Sequence, residues 1–204
     1  MPGTLFIVAA PSGAGKTSLV KALLEREPDI ALSISHTTRP PRPGEIDGRH
    51  YHYCSRSEFE QLVRQNAFLE HAVVFGNRYG TSRAAVEAQL ASGHDVLLEI
   101  DFQGAEQVRA RMTCSSIFIL PPSREELLRR LHLRGQDSEA EIARRTREAR
   151  AEMLHHTEFD YLVVNDDFET ALNDLRAIVT SQRLRRIQQT RRHAALIADL
   201  LKEA

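Results

Sequence analysis

The chain has 204 residues, 42% hydrophobic and 27% charged, enough to bury a core in one or two domains without disulfide or metal staples. Its 27 basic and 28 acidic residues leave a net charge of −1, so bulk electrostatics do not mark a nucleic-acid partner, and 6% aromatics without Trp offer few stacking platforms for single strands. The longest apolar runs, such as residues 5–10, are far too short to span a bilayer, and Met1-Pro2-Gly3-Thr4 does not open a secretory leader. Cys54 and Cys114 stand apart, with neither metal-type spacing nor a disulfide framework, so a cytoplasmic location is expected.

Leu5 to Ala10 is a continuous apolar run with β-branched members and reads as a buried parallel strand. Pro11-Ser12-Gly13-Ala14-Gly15 turns the chain into a helix carrying Leu19, Val20, Leu23 and Leu24 on one face, which Pro28 stops. A short strand over Ala31–Ser35 leads into a segment with prolines at 40, 41 and 43, where no helix can form. Tyr51–Tyr53 reads as a strand, Ser57 with Glu60 as the capping box of the next helix, and Phe68–Phe75 as another strand before a turn at Gly76-Asn77. Alternation then resumes: helix 82–91, strand 96–101, helix 103–111, strand 117–120 closed by Pro121-Pro122. Residues 124–156 are helical and charge-dense with a break near Gly135; 161–164 is the last strand, and a helix from about Glu169 occupies the C-terminus.

Strands alternating with helices imply a parallel sheet flanked by helices, with ligands at the C-terminal strand ends. The glycine loop, Asp101, the Pro-Pro pair and Asn165 all fall on that edge.

Gly13-Ala14-Gly15-Lys16-Thr17 ends a G-x-x-x-x-G-K-[ST] pattern in which Ala10 stands where the first glycine is expected. Ala10 is tolerated if its φ is negative. Over residues 10–17 backbone N–H groups can curl around phosphate oxygens at a helix N-terminus, Lys16 can neutralise β/γ-phosphate charge, and the Thr17 hydroxyl can ligate Mg²⁺. This makes the fold class α/β of the P-loop NTPase type.

Other residues carry a choice between chemistry and structure. Arg39 and Arg42, on a proline-stiffened segment, suit a dianionic phosphate or a solvated basic loop. Tyr51 and Tyr79 are phosphate donors or core packing; Glu70 is a base reader or a solvent-facing strand residue; Asn165 is a nucleotide contact or a turn former.

The blocks Ser35-His36-Thr37-Thr38-Arg39-Pro40-Pro41-Arg42-Pro43-Gly44-Glu45, Phe68-Leu69-Glu70, Gly76-Asn77-Arg78-Tyr79-Gly80-Thr81, Glu99-Ile100-Asp101-Phe102-Gln103-Gly104, Arg134-Gly135 and Val164-Asn165-Asp166, in this order, resemble the guanylate kinase family over essentially the whole chain. The resemblance implies a core at 1–36, 82–123 and 157–204, a small mixed α/β GMP-binding insert at 37–81, and a helical lid at 124–156. It implies transfer of a phosphoryl group from ATP to GMP, or dGMP, with Mg²⁺. Ser35, Arg39, Arg42, Tyr51, Glu70, Tyr79, Thr81, Glu99 and Asp101 would hold GMP. Glu99 has a second open role, on water around the metal. A carboxylate such as Glu70 suits guanine because it accepts from N1–H and N2–H, whereas adenine offers a lone pair at N1.

Lid arginines would stabilise the charge that phosphoryl transfer spreads over equatorial oxygens. Matching positions give Arg134 and Arg145 as catalytic with Lys16, with Arg130 and Arg144 as alternatives; Asn165 falls near the adenine. No dedicated base is expected, since the acceptor is already a phosphate oxygen. Two rivals remain: a binding module that has lost catalysis, which Lys16 and Thr17 argue against, and a nucleic-acid-binding NTPase suggested by Arg183, Arg185, Arg186, Arg191 and Arg192. Those arginines sit among Leu184, Ile187, Leu196 and Leu200, so a solvated or subunit-facing stripe is preferred, which allows a homo-oligomer.

Overall fold

The fold is taken from a computed structural model, which describes residues 3–74, 76–133 and 139–202. Its centre is β1 (Leu5–Ala9), all five residues of which are buried. β7 (Asp95–Glu99) and β8 (Ser115–Leu120) pair with β1 in parallel on either side. β2 (Ile30–Leu32) and β9 (Tyr161–Val164) form the edges, giving the parallel order β2-β7-β1-β8-β9 among the described residues.

The period of two along a strand divides the core. Phe6 and Val8 of β1, with Leu97, Ile117 and Ile119, face α1 (Lys16–Arg26) and α7 (Phe168–Arg183) through Leu19, Leu23, Leu172 and Leu175. Leu5 and Ile7, with Val96 and Leu98, face the other way, onto Val86 and Leu90 of α3 (Arg83–Ala91) and Ala105 and Val108 of α4 (Phe102–Arg109). Both faces are therefore covered, as a parallel sheet requires.

The strand expected over 31–35 ends at Leu32, and a separate strand follows it. Residues 30–32 extend the main sheet, whereas β3 (His36–Thr37) belongs to a second sheet of order β4-β3-β6-β5. This sheet contains β4 (His52–Tyr53), β5 (Phe68–Val74) and β6 (Asn77–Ser82), and β5 and β6 form an antiparallel hairpin. The chain changes sheets at 33–35, where local alternation carries no information about which sheet a strand joins.

The helix between β4 and β5, α2 (Arg56–Arg64), is capped two residues earlier than expected. Ser55 and Glu58, not Ser57 and Glu60, make the reciprocal capping box: Glu58 N donates to Ser55 Oγ at 3.2 Å and Ser55 N to Glu58 Oε2 at 2.7 Å.

α5 (Arg124–Leu133) and α6 (Glu139–Met153) share a small core of Leu127, Leu131 and Ala149. A 3-10 helix over Leu154–Glu158 continues α6. The helix expected at the C-terminus is broken: α8 (Arg186–Arg192) and α9 (Ala194–Leu200) follow α7, with Arg185 extended between α7 and α8 and His193 between α8 and α9. Neither has a buried residue, so no packing holds the axis of α7 beyond Leu184.

Candidate active site

The turn after β1 closes over the start of α1. Gly13 and Gly15 both take φ of 91°, a left-handed conformation that an L side chain strains to adopt. Ala10 is not among the positive-φ residues, so the methyl group where a glycine was expected costs the loop nothing. A Cβ on Gly13 would also strike Leu127 of α5, 2.9 Å away, so the glycine lets α5 pack on the loop. Lys16 opens α1, and its ammonium donates to the Ile100 carbonyl at 2.9 Å, just beyond the end of β7. Thr17 donates its hydroxyl to Glu99 Oε1 at 2.6 Å.

Two residues from distant sequence brace this loop. Asn165 is buried past the end of β9, and its amide donates to the Ala14 carbonyl at 2.7 Å. Arg130 on α5 donates to the Asn165 carbonyl at 3.0 Å while Glu126 holds its Nε at 2.6 Å. Asn165 is therefore a buried brace of the glycine loop through Ala14, not a free turn residue.

The second sheet faces the loop across a cleft of about 320 Å³. Lys16, Thr17, Ser35, Arg42, Tyr51, Glu70, Tyr79, Glu99 and Asp101 all line it. Glu70 is only 2% exposed, so the solvent-facing alternative for this strand position fails. Thr81, fully buried on β6, donates its hydroxyl to Glu70 Oε1 at 2.5 Å. Burial pushes the Glu70 carboxyl up to about 7, against the opposing pull of the Thr81 hydrogen bond. Asp101 caps α4: its Oδ1 accepts from Gly104 N at 2.9 Å and its Oδ2 from Gln103 at 3.1 Å.

At the other end of the cleft the basic residues are arranged by an acid. Glu45 accepts from Arg39 Nη2 at 2.8 and 3.0 Å, from Arg42 N at 2.7 Å and from the Tyr53 hydroxyl at 2.8 Å. The Arg39 hydrogen bond is the largest cause that holds the Glu45 carboxyl down at about 2. The Arg39 guanidinium also lies over the Tyr51 ring, 5.3 Å from its centroid, and Tyr51 meets Tyr79 edge-on at 5.9 Å. Burial raises the Tyr51 hydroxyl above its usual range, which keeps it a hydrogen-bond donor.

The glycine loop after β1 thus faces an acid-lined cleft that Arg42, Tyr51 and Tyr79 also line. A family model for guanylate kinase matches residues 3–182 of the chain. The guanylate kinase of Escherichia coli K12 is 58% identical over 98% of this chain and 99% of its own length. That of Nitrosococcus oceani is 62% identical over 99% of this chain and 100% of its own length. A crystal structure of guanylate kinase from Anaplasma phagocytophilum superposes with a TM-score of 0.77 at 34% identity, covering 92% of this chain and 89% of that one. The chain belongs to the guanylate kinase family.

The guanylate kinase chain also uses residues that its sequence did not single out. Glu45 orients Arg39, and its signal was only its place six residues on, inside a proline-rich turn. Glu152 of α6 accepts from Ser12 N in the phosphate loop at 3.1 Å, a contact between residues 140 apart that no local pattern encodes. Burial raises the Glu152 carboxyl above the usual range. Arg130, an alternative in the sequence reading, touches the loop brace directly. Arg145 lies half-buried on α6, outside the lining of the Lys16 cleft. It is seven residues, or two turns, before Glu152 and so shares that helix face. Arg134 lies outside the described residues.

Proposed function

We propose that this guanylate kinase transfers the γ-phosphoryl group of ATP to GMP, and to dGMP, giving ADP and GDP. The observation that carries the reading is one cleft onto which the phosphate-loop residue Lys16 and the buried Glu70 both open, so a donor at one and a guanine at the other would meet end to end. Lys16, with the N–H groups of residues 12–15, binds the donor phosphates. Arg39, Arg42, Tyr51 and Tyr79 hold the acceptor phosphate; Ser35, Glu70, Thr81 and Asp101 read its base.

Mg²⁺ fits the oxygen pair formed by Thr17 and Glu99, 2.6 Å apart at the start of α1. When bound it would supply positive charge against the donor phosphates. Residues 124–156 act as a lid that brings Arg145 and Arg134 to the donor phosphates, and 37–81 as a mobile GMP-binding unit; the separate small core of α5 and α6 and the separate second sheet support these divisions. No helix among the described residues is long and apolar enough to cross a membrane.

Measuring ADP release with GMP, dGMP, AMP and UMP as acceptors tests this. Turnover is expected with the two guanine nucleotides; equal rates with AMP would reject it.

A further inference from the structure

Glu70 does not find its position through its own strand alone. Its Oε1 is held by Thr81, and its Oε2 lies against the first turn of α4. The residue there is Gly104, buried and helical, with no positive φ to explain a glycine. A Cβ built on Gly104 would sit 2.6 Å from Glu70 Oε2 and 3.1 Å from its Cδ, while the next neighbour, Ile100 Cβ, is an ordinary 3.4 Å away. The space that a side chain would fill is the space that the carboxylate occupies.

The strand cannot withdraw to make room. Gln107, one turn on in α4, donates to the His71 carbonyl at 2.8 Å and accepts from His71 N at 3.2 Å. Arg111 donates to the Leu69 carbonyl. Both backbone neighbours of Glu70 are thus tied to α4 or the turn after it. The movable group is the carboxylate itself.

We infer that Gly104 is a positioning residue for guanine selectivity: its missing side chain fixes where the Glu70 carboxylate stands. This rests on the reading of Glu70 as the guanine acceptor given above. Ordinary contact begins near 3.4 Å, so Gly104→Ala must drive Oε2 about 0.8 Å away, beyond the tolerance of a paired hydrogen bond to N1–H and N2–H. The helix itself gains from alanine, the better helix former. Selectivity and stability therefore part company, which a structural role for Gly104 would not produce.

The test compares the intact enzyme with Gly104→Ala and Glu70→Gln, using GMP and IMP, which lacks the 2-amino donor, as acceptors, and following thermal melting. For Gly104→Ala we expect KM for GMP to rise roughly ten- to a hundredfold, the range set by loss of hydrogen bonds to a charged group. The preference for GMP over IMP should shrink with it, while KM for ATP holds within about twofold and the melting temperature holds or rises. An unchanged GMP/IMP preference, or equal losses on both acceptors with a lowered melting temperature, overturns the inference. If Glu70→Gln also leaves the preference unchanged, the guanine reading of Glu70 fails; if it collapses the preference and Gly104→Ala does not, only the role of Gly104 fails.

Discussion

Ser12, in the loop after β1, donates its backbone N–H to Glu152 on α6 at 3.1 Å, so a carboxylate occupies one donor of the loop proposed to hold phosphate. Lys16 attracts the same carboxylate, and Asp101 and Glu148 repel it. If this loop binds a nucleotide phosphate, as proposed above, Glu152 competes with it for that N–H. Glu152→Gln should tighten ADP binding about fivefold or more, since two like charges 4 Å apart repel by ~1 kcal/mol even in water. Calorimetry checks this. Because burial raises the Glu152 carboxyl, the gap between wild type and variant should narrow as pH falls and the wild-type group becomes neutral. A gap independent of pH would reject the competition.

The Lys16 ammonium, half-buried, donates to the Ile100 carbonyl at 2.9 Å. Losing that bond costs about 1 kcal/mol of stability, while losing a preorganised cation at the transferring phosphate costs about 10²-fold or more in kcat. Lys16→Ala should therefore be folded by circular dichroism and nearly inactive. Near-normal turnover would remove the phosphate-loop assignment.

The parts of this design that were legible in the sequence are those with local causes. β1 and α1 follow from an unbroken apolar run, two glycines and a 3.6-residue stripe, and the φ of 91° at Gly13 and Gly15 matches the turn those glycines imply. The capping box was displaced because Ser55/Glu58 and Ser57/Glu60 have the same spacing, and only the entry of the chain chooses between them. The break of the last helix was hidden because α8 and α9 keep helical composition without a core beneath them. At the site, Glu70 and Thr81 stood out as residue types, but their burial comes from hairpin pairing with α4 behind it. Glu152 and Glu45 act on partners fixed by tertiary structure, Glu152 across 140 residues, and such electrostatic matches leave no pattern to read.

Arg145 shares the Glu152 face of α6, so movement of that helix toward the loop would carry both. If Arg145 meets the donor phosphates only as charge develops, Arg145→Ala should lower kcat by about 10²-fold or more and leave KM for GMP within a few-fold. Steady-state kinetics separate this from ground-state binding, in which KM would move first.

Glu70 links acceptor binding to pH with a definite sign. Its carboxyl is raised by burial from 4.5 to about 7 in the folded chain. A protonated Glu70 carries an O–H where guanine brings its own donors, so kcat/KM for GMP should fall as pH drops through about 7. The same shift acts on stability. A carboxyl with a raised folded pKa favours folding fully below the unfolded value and loses that contribution as pH rises through the folded one. Between about 4.5 and 7 the chain should therefore lose up to about 3 kcal/mol, at 1.36 kcal/mol per unit. Glu70→Gln removes the buried charge. It should raise the unfolding free energy of the nucleotide-free protein at pH 8, with the gain fading near pH 4.5, while it weakens GMP binding at pH 8. Denaturant unfolding at the two pH values reads the first effect and GMP titration the second. A variant less stable than wild type at pH 8 would mean that Thr81 and the turn of α4 already compensate the charge before any guanine arrives.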